Sequence, residues 1–494
     1  MSTSSSSVSG APQSLVGLLA DLAAAAPDRR ALSCGDDEIT RGELERRTNR
    51  LARAYQQLGV TKDSLVTIGL PNGIEFISSA IAVWKCGATP QPISAKLPGR
   101  ETAAIIELAA PTLAVGVEAH DAPGCPVVPA GYEPPQELAE TAFDLGAASS
   151  LKAPTSGGST GRPKLIVSTD PATAESVLPL AQLVGMREHD TVLITGPLCH
   201  NAPFTLAICG LALGGHVVVM PRFDATISLQ LVESWSVTWM YAVPTMMSRI
   251  WRLTERESYD ANSLRVVMHM AAPCPSWLKQ AWIDWLGADS ILELYAGTEI
   301  QAATVLTGSE WLSRPGTVGR PVFGEMIVLN SEGERLPSGE VGEVWMRRGE
   351  GASNPYRYIG AEAQSRDGGW ETVGDMGWMD DDGYLYLADR KADMIHVGGA
   401  NVYPAEIESA LLEQPLVLSA VVIGLPDDDL GQVPHALVEL EQDLGDDDLY
   451  SHLSDRIARY KIPRSFERVS EPLRDDAGKI RRSTLVAERV TPDN

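Results

Sequence analysis

Nine residues, Ser156-Gly157-Gly158-Ser159-Thr160-Gly161-Arg162-Pro163-Lys164, hold the densest chemistry in the chain. Glycines let a backbone turn tightly and bring its N–H groups close to an anion. Ser159 and Thr160 add hydroxyl donors, and Lys164 adds a point charge. The segment reads as a loop able to wrap phosphate. It does not match the P-loop pattern G-x-x-x-x-G-K-[ST], because Lys164 follows a proline. A plain Gly/Ser surface turn would have the same composition, so the rest of the chain must supply the context.

The chain has 494 residues, too many for one ordinary core, so two or more domains are expected. It is 44% hydrophobic and 21% charged, a globular composition. A net charge of −25 disfavours DNA, RNA and anionic membranes as partners. An anionic ligand must therefore be met by local basic groups or backbone donors. Cys34, Cys86, Cys125, Cys199, Cys209 and Cys274 show neither a C-x-x-C pair nor metal-ligand spacing with histidine. Scattered reduced thiols suit the cytoplasm. Residues 1–12 read as a disordered Ser-rich tail. No run of 18 apolar residues occurs, so membrane insertion is not expected.

Around the glycine loop, strand and helix patterns alternate. Helices are expected at Leu15–Ala26, Leu44–Gly59, Glu75–Cys86 and Phe204–Leu213, and another beginning near Pro244. Strands are expected at Ser64–Leu70, Thr112–Val117, Thr191–Thr195, His216–Met220, Thr238–Val243, Leu264–Met270 and Ser290–Leu294. A Pro-rich loop is expected after Gly87. The alternation implies α/β architecture with doubly wound parallel sheets. From Gly319, short segments between glycine turns (Glu325–Leu329, Gly342–Met346, Gly383–Leu387) indicate a small antiparallel β-subdomain. After Arg390 an α+β unit follows, with helices at Val402–Leu412 and Leu449–Ala458 and strands at Ala420–Leu425 and Ala436–Leu440. The expected division is an N-terminal domain over 13–390 and a C-terminal domain over 391–494.

Taken together, these segments resemble the adenylate-forming superfamily of acyl-CoA ligases, peptide-synthetase adenylation domains and luciferases, and most closely its stand-alone bacterial acyl-CoA ligases. Ser156–Lys164 matches the family's phosphate loop, which implies ATP contacts from Ser156, Gly157, Gly158, Ser159, Thr160, Gly161 and Lys164. Pro197–Phe204 resembles the carboxylate-pocket segment, placing His200 beside the reacting carboxylate and Asn201 and Phe204 in the acyl wall. Met270-Ala271-Ala272-Pro273 resembles the small-residue turn facing adenine. In Tyr295-Ala296-Gly297-Thr298-Glu299 the resemblance implies that Tyr295 stacks on adenine, Thr298 donates to the α-phosphate and Glu299 holds Mg²⁺. Ala296 stands where relatives usually have glycine, and its methyl is expected to project toward the nucleotide or the acyl group. Asp375 and Arg390 would hold the ribose, and Ala392 would be the hinge. Gly398 and Gly399 would let the CoA arm pass, and Lys479 would reach the reacting carboxylate and α-phosphate.

The implied reaction has two steps. A carboxylate attacks the ATP α-phosphorus with Mg²⁺, Lys164 and Lys479 offsetting charge, and CoA then takes the acyl group. Tyr241, Met246, Met270, Ala296 and Ile300 complete an acyl wall without a charged side chain, which favours a bulky apolar acid over an amino acid. Three alternatives stand beside this reading: loading of a carrier protein or delivery to a pathway partner enzyme, a member performing only the thioester half, and a non-catalytic nucleotide-binding regulator.

Overall fold

The computed structural model describes residues 12–157, 163–471, 473–474, 478 and 480–490. The expected N-terminal tail up to residue 11, Gly158, Ser159, Thr160 and Gly161 of the glycine loop, and Lys479 lie outside them. The chain forms two units, Met1–Pro221 with Tyr356–Ala361, and Arg222–Pro355 with Glu362–Asn494.

In the first unit, strands Thr89–Pro92, Leu65–Ile68, Leu113–Val115 and Val127–Val128 form a wholly parallel sheet in that order. Thr89–Pro92 lies in the stretch expected as a Pro-rich loop. It is the edge strand, where a proline costs no ladder bond on its open side. Thr191–Ile194, His216–Val219 and Arg30–Cys34 run parallel in a second sheet, with Asp37–Thr40 antiparallel beside the last. Thr155–Gly157, Pro163–Ser168 and Tyr356–Ile359 form a small antiparallel sheet. The helix expected from Leu44 begins at Arg41, because Thr40 and Glu43 form a reciprocal capping box. Helices Gly99–Ala109, Ala174–Leu183, Ala225–Trp235 and Ser276–Leu286 were absent from the sequence expectations. Trp84 and Phe204 stack at 5.7 Å in the core, and Trp84 donates to the Leu151 carbonyl at 2.8 Å.

The second unit has strands Trp239–Ala242, Val266–His269 and Ile291–Ala296 in parallel, extended antiparallel by Ala303–Thr307 and Pro321–Phe323. A six-stranded antiparallel sheet follows, in which Gly342–Arg347 pairs with Glu325–Leu329, Trp370–Thr372 and Asp375–Met379. Leu385–Arg390 closes it against Asp375–Met379. The C-terminal sheet is built on the long hairpin Val417–Asp427/Gly431–Leu440, with Ile395–Val397 and Ser465–Arg468 beside Gly431–Leu440. Helix Pro404–Leu412 starts two residues later than expected, because Ala400–Val402 is a strand and Pro404 takes the first helical position.

Candidate functional site

Open α/β sheets present ligand-binding groups at the carboxyl ends of their parallel strands. Strand Ile291–Ala296 ends on Tyr295 and Ala296. The Tyr295 hydroxyl donates to Asp375 Oδ2 at 2.7 Å, and Asp375 Oδ1 lies 3.3 Å from Arg390 Nε. Asp375 and Arg390 are direct cross-strand partners, so antiparallel register alone brings the two together. Burial, reinforced by the Asp375 charge, pushes the Tyr295 hydroxyl well above its ordinary pKa and keeps it a donor. Tyr295 packs against the cluster around Ala302, Met326 and Val344.

Two left-handed non-glycine residues flank this station, Ala271 at φ +73° and Ile300 at φ +52°. A β-branched residue in that region is strained, and such strain gathers at ligand-binding segments. Both lie in stretches the sequence singled out. Glu299 is 6% exposed, and a Cβ on Gly297 would come within 3.1 Å of its Oε2. Ala296 sits in regular register with Ala303. Tyr241 is paired with Met268, and Tyr241, Met246 and Met270 are all buried.

Behind the strand ends lies a group the sequence did not signal. Lys279 donates to Glu293, two residues before Tyr295. His269 Nδ1 is 3.9 Å from Glu293, and burial holds its pKa down to about 4 against that charge. Cys274 is half-buried nearby, and desolvation of its thiol pushes the pKa up to about 12. These groups brace the turn from Met270 to Cys274.

The C-terminal turn is braced separately. Gly478, the residue before Lys479, has φ +76°, and a Cβ there would lie 3.5 Å from Thr245 and Val243. Arg474 donates to the Gly478 carbonyl at 3.2 Å and to buried Glu408 at 2.9 Å. Arg482 also binds Glu408, at 2.5 Å, and reaches Asp393 beside the expected hinge at 3.0 Å. Ala392 is exposed, and its neighbour Lys391 is tied to the Gly374 carbonyl and to Glu343. Gly398 and Gly399 form the two-residue turn of hairpin Ile395–Val397/Ala400–Val402, with φ +55° and +85°. That turn demands glycine for its own geometry, whatever passes over it.

In the first unit, Ser156 and Lys164 are cross-strand partners at the mouth of the glycine loop. Lys164 Nζ rests 3.9 Å from the centre of the Tyr358 ring, a cation–π contact. His200 occupies the N-cap of helix Asn201–Ala212, but its side chain makes no capping bond, so the helix does not explain the histidine. The preceding loop is clamped by Asn72, which donates to the Gly196 and Met220 carbonyls and accepts from Leu198 N–H at 2.7 Å. Buried Lys152 donates to Thr205, which donates to the Asn201 carbonyl at 2.7 Å. Burial lowers the Lys152 pKa to about 8. Phe204 takes a core position between Trp84 and Phe76. Asn72, Lys152 and Tyr358 carried no motif that sequence reasoning could have used.

Among the described residues, no group of three or more His, Cys, Asp or Glu side chains could hold a metal by itself. A buried single carboxylate such as Glu299 fits Mg²⁺, which keeps waters and takes substrate phosphates beside one or two carboxylates. Among the described residues no helix is long and apolar enough to cross a membrane.

The chain is similar to a long-chain-fatty-acid–CoA ligase of Mycobacterium tuberculosis, at 30% identity over 91% of this chain and 93% of that one. It is 29% identical to a 2-succinylbenzoate–CoA ligase of Bacillus licheniformis, over 93% and 97% of the two chains. Among solved structures, o-succinylbenzoate CoA synthetase from Bacillus subtilis in complex with its acyl-adenylate intermediate matches with a TM-score of 0.81 and 26% identity, covering 96% and 98%. An anthranilate CoA ligase in complex with anthranoyl-AMP matches with a TM-score of 0.83 and 25% identity, covering 97% of each. The family model for AMP-binding enzymes covers residues 19–356 and that for the AMP-binding enzyme C-terminal domain covers 406–479, so the chain belongs to the family of AMP-binding enzymes.

Proposed function

We propose that this enzyme is an AMP-forming acid–thiol ligase: it activates a carboxylic acid with ATP and passes the acyl group to coenzyme A. The observation that carries the reading is the Tyr295–Asp375–Arg390 arrangement, a partly buried aromatic and a charge-paired carboxylate suited to adenine and ribose. The CoA-ligase names of its relatives support the chemistry.

The reading assigns the nucleotide's phosphates to Ser156–Lys164 and its α-phosphate to Thr298. Mg²⁺, held by Glu299 and the phosphates, would supply electrostatic stabilisation of phosphate charge. Lys479, presented by the Gly478 turn, meets the charge that develops as the carboxylate attacks and pyrophosphate leaves. His200 orients the carboxylate. Residues 391–494 act as the moving part about Ala392, and Gly398–Gly399 serve the CoA step. The acid is bulky and apolar, walled by Asn201, Tyr241, Met246, Met270, Ala296 and Ile300. Buried methionines adapt to such a group. A cytoplasmic location and a CoA acceptor go together, and nothing in the relatives described favours a carrier protein.

The test is mass spectrometry of products from hexadecanoate, 2-succinylbenzoate, cinnamate and a sterol acid with ATP and Mg²⁺, with and without CoA. Acyl-AMP without CoA and acyl-CoA with it support the ligase. Acyl-AMP that persists with CoA present overturns the CoA acceptor. Thioester only from a supplied adenylate means that the first half is lost.

A further inference from the structure

Helix Pro244–Trp251 is gripped at both ends by C-terminal residues of its own unit. At its start, Gly478 lies beside Val243 and Thr245, close enough that a Cβ at this position would come within 3.5 Å of both. At its end, Arg252 spreads its guanidinium over two carbonyls: Nη1 donates to Pro415 O and Nη2 to Val417 O, both at 2.7 Å. Arg252 Nε lies 3.4 Å from Ser248 Oγ on the same helix, which aims the fork. A planar fork can bridge two fixed acceptors, whereas an ammonium is a single point.

The two grips share one strand. Val417 opens strand Val417–Asp427. Val421 and Ile423 of that strand form the cluster that packs Leu473 and Ile480, on either side of Lys479 in sequence. Arg474 then ties down the Gly478 carbonyl at 3.2 Å. Contacts thus run from Arg252 through the strand to the Gly478 turn and back to the helix, a closed ring.

We infer that Arg252 is a positioning residue for adenylate formation. Its hold on the Pro415 and Val417 carbonyls sets where Gly478 sits beside Val243 and Thr245, and that hold must release before the thioester step. The inference rests on the proposed two-step ligase reading and adds a specific latch to it.

Hydrogen exchange on the whole protein, which needs no turnover, compares wild type with Arg252→Ala and Arg252→Lys. The expected result is exchange about threefold faster or more in Arg252→Ala, both in 416–425 and in 478–486, with 65–92 unchanged. A change confined to the residues next to Pro415 and Val417 overturns the latch. With the acid that wild type adenylates fastest, Arg252→Ala should slow adenylate formation about tenfold and leave thioester formation from supplied adenylate unchanged or faster. Arg252→Lys should recover less than half of the loss. Equal slowing of both halves, or of neither, overturns the inference. A wild type that adenylates none of the acids overturns the ligase reading instead, and hydrogen exchange then decides the latch alone.

Discussion

The Tyr295 hydroxyl and the Asp375 carboxylate meet at 2.7 Å across 80 residues of chain, and Arg390 completes the group from the neighbouring strand. One partly buried donor and one exposed cation orient a single carboxylate. Tyr295→Phe keeps the ring and removes only the hydroxyl. A hydrogen bond to a charged group contributes roughly 1.5–3 kcal/mol, and the open side of Asp375 reduces that, so ATP affinity should fall about tenfold. Calorimetric titration of ATP reads this directly. In Tyr295→Phe/Asp375→Asn the losses should be less than additive, since each removes the same contact; full additivity would show that the pair does not act together.

The pH dependence of stability follows from His269, which is 0% exposed. Its folded pKa is about 4 against an ordinary 6.5, with burial the main cause. The unfolded chain therefore takes up the proton first. The contribution is fully present above pH 6.5 and is lost progressively as the pH falls toward 4. The slope is about 1.4 kcal/mol per pH unit over that window. Thermal midpoints of wild type should drop through this range, and His269→Leu should flatten the drop. His216, also held to about 4 by burial, acts in the same direction. An unaltered slope in His269→Leu would remove His269 from the explanation.

Glu408 is 5% exposed and binds both Arg474 and Arg482. Glu408→Gln leaves two half-buried guanidinium groups facing a neutral amide. Breaking such a buried group costs about 3–5 kcal/mol. Urea unfolding should show this loss. A shift below about 1 kcal/mol would mean that solvent compensates the arginines.

Gly478→Ala tests the turn itself. There is room for the methyl, but φ +76° strains any L side chain, by about 1–2 kcal/mol. Adenylate formation should slow with little change in the KM for ATP, because the proposed function gives the turn a part in the reacting step and none in holding adenosine. A rise in KM alone would count against that division.

Much of the candidate site was legible because it is local. Tyr295-Ala296-Gly297-Thr298-Glu299, Val373-Gly374-Asp375 and the glycine loop announce themselves as short runs of donors, acceptors and glycines. Parallel strands were legible as apolar runs bounded by turns, as at Thr191–Ile194. The misses have physical causes. Thr89–Pro92 carries two prolines, and only an edge position makes it a strand. Ser276–Leu286 has apolar residues on most of its faces, so its period gave no clear signal. Lys279, Glu293 and Asn72 look like ordinary polar residues until burial shows that each has a partner.

The sequence by itself determined the chemical vocabulary: which residue types stand in which short motifs, and the order of α/β, antiparallel and α+β segments along the chain. Local hydrogen bonding and periodicity suffice for that, since neighbours in sequence are neighbours in space. Only the tertiary structure decided the partnerships. Asp375 lies beside Arg390 because of strand register, Tyr295 reaches Asp375 because two sheets of one unit meet, and Arg252 finds the Pro415 and Val417 carbonyls 163 and 165 residues away. Contacts of that range are set by packing of whole elements, and no periodicity within either segment encodes them.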